Sequence, residues 1–296
     1  MDSIVISPIN KVKQYLSLVK FSHTLFALPF AIIGFVLGIV KMQQAFNILL
    51  FFKMLLCMVF ARSAAMAFNR YLDRTFDALN PRTAKREIPA GIIKPSQALL
   101  FTIINCLLFI FTTWFINILC FYLSFVALFV ILFYSYTKRF TALCHFVLGI
   151  GLALAPIGAY IAVTGEFKLL PILFSFSVLT WVSGFDIIYA LQDEFFDKSQ
   201  QLHSIPAALG TKNALLLSII IHVFSAAFVI WAGIEAKEIF NWLYWLGTFI
   251  YISLLSYQHF LVKPNDLSKV NIAFATTNGV ASVVFALFTI LSVFFH

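Results

Sequence analysis

The amino-acid sequence predicts an all-α fold: a polytopic bundle of nine transmembrane helices around a central cavity open at its cytoplasmic end. Two observations point to a membrane protein. Of the 296 residues, 62% are hydrophobic and only 11% are charged, about half the charged fraction of a typical soluble domain. Apolar runs of about 20 residues, the length that crosses a bilayer as a helix, also recur along the whole chain. Residues 1–296 are therefore predicted to form a single integral membrane domain in a lipid bilayer.

Each predicted helix corresponds to one apolar run. The third and fourth runs are separated only by a short turn near the sequence "WFINI". The nine runs lie near residues 22–41, 46–68, 96–115, 116–135, 141–163, 171–191, 212–234, 238–260 and 270–295.

The basic residues predict the orientation of this bundle. If the N-terminus is inside, most Lys and Arg fall on the cytoplasmic side, as the positive-inside rule requires. Only Lys41, Lys168 and Lys237 fall outside, and Lys53 and Arg62 lie within the second run. The C-terminus is then outside. Because topology accounts for most of the net charge of +8, we expect no nucleic-acid partner.

A first polar stripe is predicted where the second span leaves the lipid. Asn69, Asp73 and Asp77 follow one another at intervals of four residues. In a helix this spacing rotates each residue by about 40° and raises it by about 6 Å, so the three share one face over about 12 Å. Arg62 lies near the same face, about 10 Å deeper. The stripe therefore presents a cation, an amide and two carboxylates from depth to surface.

A second acidic stripe is predicted at the end of the sixth span. Asp186, Asp193 and Asp197 are spaced by seven and four residues, which again places them on one helical face. Charged residues at helix ends are often only a solvated rim. That reading does not explain why Arg62 and Asp186 extend the stripes into the membrane, where an ionisable side chain is costly unless paired or functional. The motifs at 69–77 and 186–197 suggest two pseudo-repeated halves with a site between them.

Four carboxylates facing one cavity would repel one another and need cations. Hard oxygen ligands favour Mg²⁺, which takes one or two carboxylates per ion and completes its coordination with water and phosphate. The pattern therefore predicts a diphosphate held between the stripes by magnesium. Basic residues on the same side are candidates for diphosphate contact: Arg82, Lys85, Arg86, Lys138 and Arg139.

These motifs, in this order, resemble the UbiA-type intramembrane aromatic prenyltransferases, which include the 4-hydroxybenzoate polyprenyltransferases. The first family motif, N-x-x-x-D-x-x-x-D, is met at 69–77, and the second, D-x-x-x-x-x-x-D-x-x-x-D, at 186–197. Two basic motifs lie between them, R-T-x-x-R-x-x-P at 82–89 and Y-x-x-x-K-R at 134–139. One position departs from the family: Gln201 stands where members commonly have Gly.

The resemblance implies transfer of a polyprenyl group from its diphosphate to an aromatic acid such as 4-hydroxybenzoate, in ubiquinone or menaquinone biosynthesis at a bacterial inner membrane. It implies Mg²⁺ on Asp73, Asp77, Asp193 and Asp197. It also implies diphosphate on Asn69, Arg82, Arg86, Lys138 and Arg139. Catalytic roles are expected for Tyr134, Arg62 and Asp186, the last two facing the acceptor.

Two alternatives stay open at this point. The wording "LQDEFFD" and "LHSIP" is closer to bacterial members acting on naphthoate-type acceptors, and haem farnesylation or tail transfer to another ring is also compatible with the motifs. A cation-coupled transporter also carries intramembrane charges. Its site would lie near the bilayer midplane on broken helices, whereas these acids gather at one surface.

Overall fold

The computed structural model describes residues 8–19 and 26–295, and within these ranges the fold is all-α, as predicted. Apart from one isolated bridge between Lys263 and Asp266, we find no strand pairing in the described part. The helices are α1 (Pro8–Leu18), α2 (Leu28–Met42), α3 (Ile48–Leu72), α4 (Arg74–Leu79), α5 (Pro95–Trp114), α6 (Ile118–Thr137), α7 (Cys144–Thr164), α8 (Leu169–Ala190), α9 (Glu194–Ser199), α10 (Ile205–Glu235), α11 (Trp242–Leu261) and α12 (Asn278–Phe294).

Seven helical segments in the described ranges are long and apolar enough to cross a membrane. They comprise α3, α5, α6, α7, α8 with its continuation to Ser199, α10, and α12 with the π-helical turn Ile272–Thr277 before it. α2 is apolar but has only 15 residues, and α11 is not among the seven. A helix lies at each predicted span, but nine crossings and their orientation stay predictions. The start of the first predicted span, residues 22–25, lies outside the described residues.

The third and fourth spans are two separate helices, as their predicted boundary requires. α5 ends at Trp114 and α6 begins at Ile118, where the side chain of Asn117 accepts a hydrogen bond from the backbone of Cys120 at 2.8 Å. An asparagine that caps the first turn in this way satisfies a backbone donor that would otherwise be unpaired. The short turn is therefore a real helix boundary.

Neither acidic stripe lies on one continuous helix, which the spacing had suggested. Asp73 is the residue between α3 and α4, and Asp193 ends a 3₁₀ turn, Leu191–Asp193, between α8 and α9. The backbone amides of Asp73 and Asp77 still donate to the carbonyls four residues earlier, at 2.9 and 2.8 Å. The first stripe therefore keeps its predicted spacing across the break.

The largest cluster of buried apolar side chains among the described residues packs between α2, α7, α8, α10, α11 and α12. Glycines allow the closest helix contacts, as is usual in membrane bundles. A Cβ on Gly34 of α2 would overlap the carbonyl oxygen of Pro156 in α7, and one on Gly184 of α8 would overlap the ring of His222 in α10. The remaining helices α3, α5 and α6 enclose, with α7, a cavity of about 310 Å³.

Candidate active site

Charged side chains gather at the end of the bundle where α3, α6 and α8 finish. Each of the four aspartates predicted to bind metal is paired with one basic residue predicted to bind diphosphate. We call these eight residues the charged cluster. Its pairs are Asp77 with Arg86 at 2.6 Å, Asp197 with Lys138 at 2.7 Å, Asp73 with Arg139 at 3.0 Å, and Asp193 with Arg82.

The two acidic stripes face each other across Lys138. Its ammonium is paired with Asp197 and also interacts with Asp193, while Asp73 of the first stripe lies within its electrostatic reach. Burial alone would lower the pKa of Lys138, but the carboxylate of Asp197 outweighs that effect and raises it. Lys138 therefore stays charged and holds the stripes around a common space.

The first stripe contains a buried carboxylate oxygen that its paired cations leave without a hydrogen bond among the described residues. Burial raises the pKa of Asp73 above its usual value, and Arg139 compensates only in part because Asp77 opposes it. Asn69 donates a hydrogen bond to Asp73 at 2.8 Å. The Oδ2 atom of Asp77 is buried without a hydrogen-bond partner in the described part of the structure. Such an orphaned carboxylate oxygen is an available ligand for a cation.

The donor set of the charged cluster fits magnesium. No group of three or more His, Cys, Asp or Glu side chains with metal-ligand geometry occurs among the described residues. This is compatible with Mg²⁺, because Mg²⁺ usually takes only one or two carboxylates from a protein and fills its shell with water and substrate phosphate. Asp73 with Asp77, and Asp193 with Asp197, would each supply such a pair.

The loop after α4 positions Arg82 through residues that the sequence motifs did not single out. Asn80 accepts from the backbone amide of Arg82 and donates to Asp193, both at 3.0 Å. Tyr189 accepts from the Arg82 guanidinium at 2.9 Å and also lies under it. Hydrogen bonding to Asp193 raises the pKa of Arg82, although burial opposes this. Asn80 lies two residues before the basic motif at 82–89, and this position was the sequence signal that could have identified it.

The cavity runs inward from the charged cluster between α3, α5, α6 and α7. Arg62 and Tyr134 line the part of the cavity nearest the charged cluster, Tyr134 one turn before Lys138 on α6, and most of the remaining lining is apolar. The Nε atom of Arg62 is buried and has no hydrogen-bond partner among the described residues. Since burying an unpaired polar group is costly, this guanidinium is available to an anion in the cavity. The structure thus joins a charged cluster to an apolar channel with a cation inside it.

Asp186 lies near Tyr134 and has a hydrogen-bond partner that the sequence analysis missed. Its Oδ2 atom is 2.7 Å from Nδ1 of His145, the second residue of α7. Asp186 is also a charged neighbour of the Tyr134 hydroxyl, as are Asp73, Arg62 and the buried Arg70. An ionisable residue at the start of an apolar span is unusual, and this signal could have identified His145.

Gln201 lies close to the second stripe in a left-handed backbone conformation, with φ of 54°. The amide of Leu202 donates to the carbonyl of Asp197 at 2.8 Å, and that of Gln201 to Lys198 at 3.3 Å. These bonds form a Schellman motif, whose left-handed residue is usually Gly. The departure from the family pattern therefore keeps the loop conformation, with a strained residue in place of a glycine.

The fold and the site define a class, an integral membrane protein with a charged cluster over an apolar intramembrane cavity. The chain belongs to the UbiA prenyltransferase family, whose model matches residues 27–293, and it is a prenyltransferase. It is 30% identical over 231 residues to the 4-hydroxybenzoate octaprenyltransferase of Tolumonas auensis, covering 76% of this chain and 78% of that one. The Nitrosospira multiformis enzyme of the same name is also 30% identical, over 228 residues, 77% of this chain and 78% of that one.

Solved structures agree with this family. A UbiA homologue from Aeropyrum pernix K1, in its apo form, is 30% identical with a TM-score of 0.80, covering 91% of this chain and 97% of that one. A homologue from Archaeoglobus fulgidus bound to GPP and Mg²⁺ shares the fold at 21% identity with a TM-score of 0.72, over 95% of this chain and 99% of that one. These likenesses do not favour the transporter alternative.

Proposed function

We propose that this enzyme transfers a polyprenyl group from polyprenyl diphosphate to the ring of 4-hydroxybenzoate or a closely related hydroxy-aromatic acid. The step would serve ubiquinone or menaquinone biosynthesis at the cytoplasmic face of a bacterial inner membrane. The observation that carries the proposal is the charged cluster over a cavity lined by Arg62, whose Nε atom has no hydrogen-bond partner in the part of the chain that the structure describes. The 4-hydroxybenzoate octaprenyltransferases among its relatives support this acceptor class.

The charged cluster would bind the diphosphate end of the donor. Magnesium, when bound, neutralises the diphosphate and makes it a better leaving group. Asp73 and Asp77 would hold one ion and Asp193 and Asp197 another. The four basic residues that now pair with these carboxylates would then donate hydrogen bonds to diphosphate oxygens instead, as would Asn69. Exchange of one set of ion pairs for another keeps buried charges compensated throughout.

The apolar cavity would hold the prenyl chain and keep water from the reacting carbon. Ionisation of an allylic diphosphate leaves a delocalised carbocation, which water would capture in an open site. Lining by side chains such as Leu152 and Ala155 excludes water from that end. The ring of Tyr134, on the side of the cavity nearest the charged cluster, would stabilise positive charge by a cation–π interaction.

Arg62 and Asp186 would bind the aromatic acceptor. The unpaired guanidinium of Arg62 suits the carboxylate of an aromatic acid, since arginine binds carboxylates through two parallel hydrogen bonds. Asp186 would accept a hydrogen bond from the acceptor hydroxyl, which increases the electron density of the ring that attacks the carbocation. The second acceptor candidate, a dihydroxynaphthoate, carries the same two groups, and the resemblance of the "LQDEFFD" segment to naphthoate-type members favours including it.

Activity of the purified protein in detergent tests the proposal. Geranyl or longer diphosphates would be offered with 4-hydroxybenzoate or a dihydroxynaphthoate, with and without Mg²⁺. We expect prenylated product only with Mg²⁺ and a loss of roughly a hundredfold or more in Asp73→Ala and Asp193→Ala, as for removal of groups that stabilise developing charge. Asp266→Ala is the control, because this carboxylate lies in an exposed loop and bonds only locally to Ser268.

Product formation that ignores EDTA, or that survives both aspartate variants, would rule out the metal mechanism. In the same assay, Arg62→Ala should raise the KM for the acceptor more than that for the diphosphate. An equal rise for both substrates would refute its role as an acceptor clamp. Direct competition between the two acceptors decides which ring is preferred.

A further inference from the structure

His145 bridges two elements that meet beside the cavity. Its Nδ1 atom contacts Asp186 of α8 at 2.7 Å, and its Nε2 atom accepts a hydrogen bond from the backbone amide of Ile205, the first residue of α10, at 3.3 Å. The residue is 2% exposed. A buried histidine with both ring nitrogens engaged has one fixed orientation.

These two contacts also fix the tautomer. A backbone amide can only donate, so Nε2 of His145 carries no proton and the ring is neutral with its proton on Nδ1. The Nδ1–H group therefore donates to the carboxylate of Asp186. Because Nε2 is occupied by Ile205, the ring has no free nitrogen through which to pass a proton onward. This geometry excludes a proton relay and leaves a fixed hydrogen-bond donor.

The close packing of α7 against α8 brings His145 within hydrogen-bond distance of Asp186. A Cβ on Gly149, one turn after His145, would overlap the backbone of Leu179 and the hydroxyl of Ser183. Ser183 also donates to the backbone carbonyl of His145 at 3.2 Å. The absence of a side chain at 149 lets the two helices approach closely at the depth where His145 reaches Asp186.

His145 also connects Asp186 to the backbone segment that contacts the charged cluster. Ile205 follows Ser204, whose hydroxyl donates to Asp197 at 2.8 Å, and His203 donates its amide to the carbonyl of Lys138 at 2.7 Å. His145 thus fixes Asp186 relative to the backbone segment that also orients Asp197 and Lys138. Of two adjacent residues in this segment, Ser204 therefore contacts Asp197 directly, and Ile205 contacts the imidazole that bonds to Asp186.

We propose that His145 is a positioning residue for the acceptor: it holds the Asp186 carboxylate in one orientation, so that the second carboxylate oxygen accepts a hydrogen bond from the acceptor hydroxyl. This inference rests on the proposed function, and deepens it by assigning a role to a residue outside the family motifs. Asp186 retains a 22% exposed side chain. Its other oxygen, Oδ1, makes no hydrogen bond to any described residue that would compete with a substrate hydroxyl.

Two substitutions separate positioning from simple structural support. His145→Leu removes the donor, whereas His145→Asn places an amide N–H near the position of Nδ1. We expect His145→Leu to raise the acceptor KM roughly tenfold to a hundredfold, the range for losing a hydrogen bond to a charged group. The prenyl diphosphate KM should change less than about twofold, and His145→Asn should recover most of the loss, because it restores the donor.

His222→Leu is the matched control, since His222 is equally buried but bonds to His259 and the Trp181 carbonyl, away from Asp186. It should lower thermal stability without separating the two KM values. Equal changes in both KM values for His145→Leu, no recovery in His145→Asn, or the same split in His222→Leu would overturn the proposal.

A measurement without substrate keeps this inference separate from the proposed function. NMR of isotope-labelled histidine in the full-length protein should show His145 as the Nδ1–H tautomer, with a signal that shifts in Asp186→Asn. An Nε2–H tautomer, or no response to Asp186→Asn, would refute the positioning role. If the wild type transfers no prenyl group to any aromatic acid, the proposed function fails, while the NMR result still decides the geometry.

Discussion

At the scale of single residues, Gln201 adopts a left-handed backbone conformation that is energetically unfavourable for a residue with a side chain. It occupies the left-handed position of the Schellman motif that ends α9, with φ of 54°. For a residue with a side chain this conformation costs roughly 1–2 kcal/mol. The cost is accepted because the resulting turn satisfies the carbonyl of Asp197, a member of the charged cluster.

Gln201→Gly should therefore stabilise the protein. Glycine relieves the strain but loses more conformational entropy on folding, so the expected gain is about 0.5–1 kcal/mol, measured as a rise in Tm of a few degrees in detergent. Gln200→Gly, one position earlier with φ of −99°, is the control and should lower Tm. A fall in Tm for Gln201→Gly would contradict the strain explanation.

The site residues differ in how far the sequence revealed them. Helical spacing identified the four aspartates, whereas their basic partners were predicted from their place on the cytoplasmic side and from the family motifs. Asn80 and His145 were missed because their roles depend on contacts with Asp193 and Asp186, more than 40 positions away in the chain. A single sequence carries local spacing but not these distant pairings.

At the scale of elements, two glycines of α2, Gly34 and Gly38, let that helix approach α7 closely. Gly34 lies against Pro156, the proline inside α7, so closely that a Cβ would overlap the proline carbonyl oxygen. Backbone atoms cannot move aside as a flexible side chain can. The two helices therefore depend on the missing side chain at position 34 for their separation.

Gly34→Ala should force α2 and α7 apart and destabilise the bundle by about 1–3 kcal/mol, the usual cost of overpacking a well-packed core. Thermal unfolding in detergent would show this as a lower Tm. Gly158→Ala in α7 is the control, since a Cβ there meets no atom within 4 Å. Equal Tm values for both variants would show that the α2–α7 contact is not tight.

At the scale of the whole molecule, the cavity beside the charged cluster is the space that we propose for the prenyl chain. Its volume is about 310 Å³, and its wall includes Gly158, where an added side chain would enter open space rather than collide. Filling this position changes the cavity without disturbing the packing of helices or the ion pairs.

Gly158→Phe should shorten the prenyl chain that the enzyme accepts. The ring would occupy part of the cavity, so turnover with a long polyprenyl diphosphate should fall severalfold relative to turnover with geranyl diphosphate, as for other substrates excluded from an apolar pocket by size. Gly158→Ala is the matched control and should leave the ratio unchanged. Parallel loss with both donors would mean that the chain lies elsewhere.

The sequence by itself determined the all-α membrane fold, the family, and the residues of both acidic stripes. The fold follows from the length of the apolar runs and the stripes from the helical period, whereas the family follows from the resemblance of the ordered motifs. It also identified Gln201 as an unusual residue, although the left-handed turn that explains it became visible only in the structure.

The tertiary structure decided which charges meet. Arg82 could have paired with any of several carboxylates, yet the fold pairs it with Asp193, 111 positions away. The fold also brings His145 to Asp186. It buries Arg62 beside the cavity with no hydrogen-bond partner for Nε among the described residues. Each acidic stripe crosses a break between helices. Such pairings depend on how helices pack, and packing is set by side-chain shape across the whole bundle rather than by any local stretch of sequence.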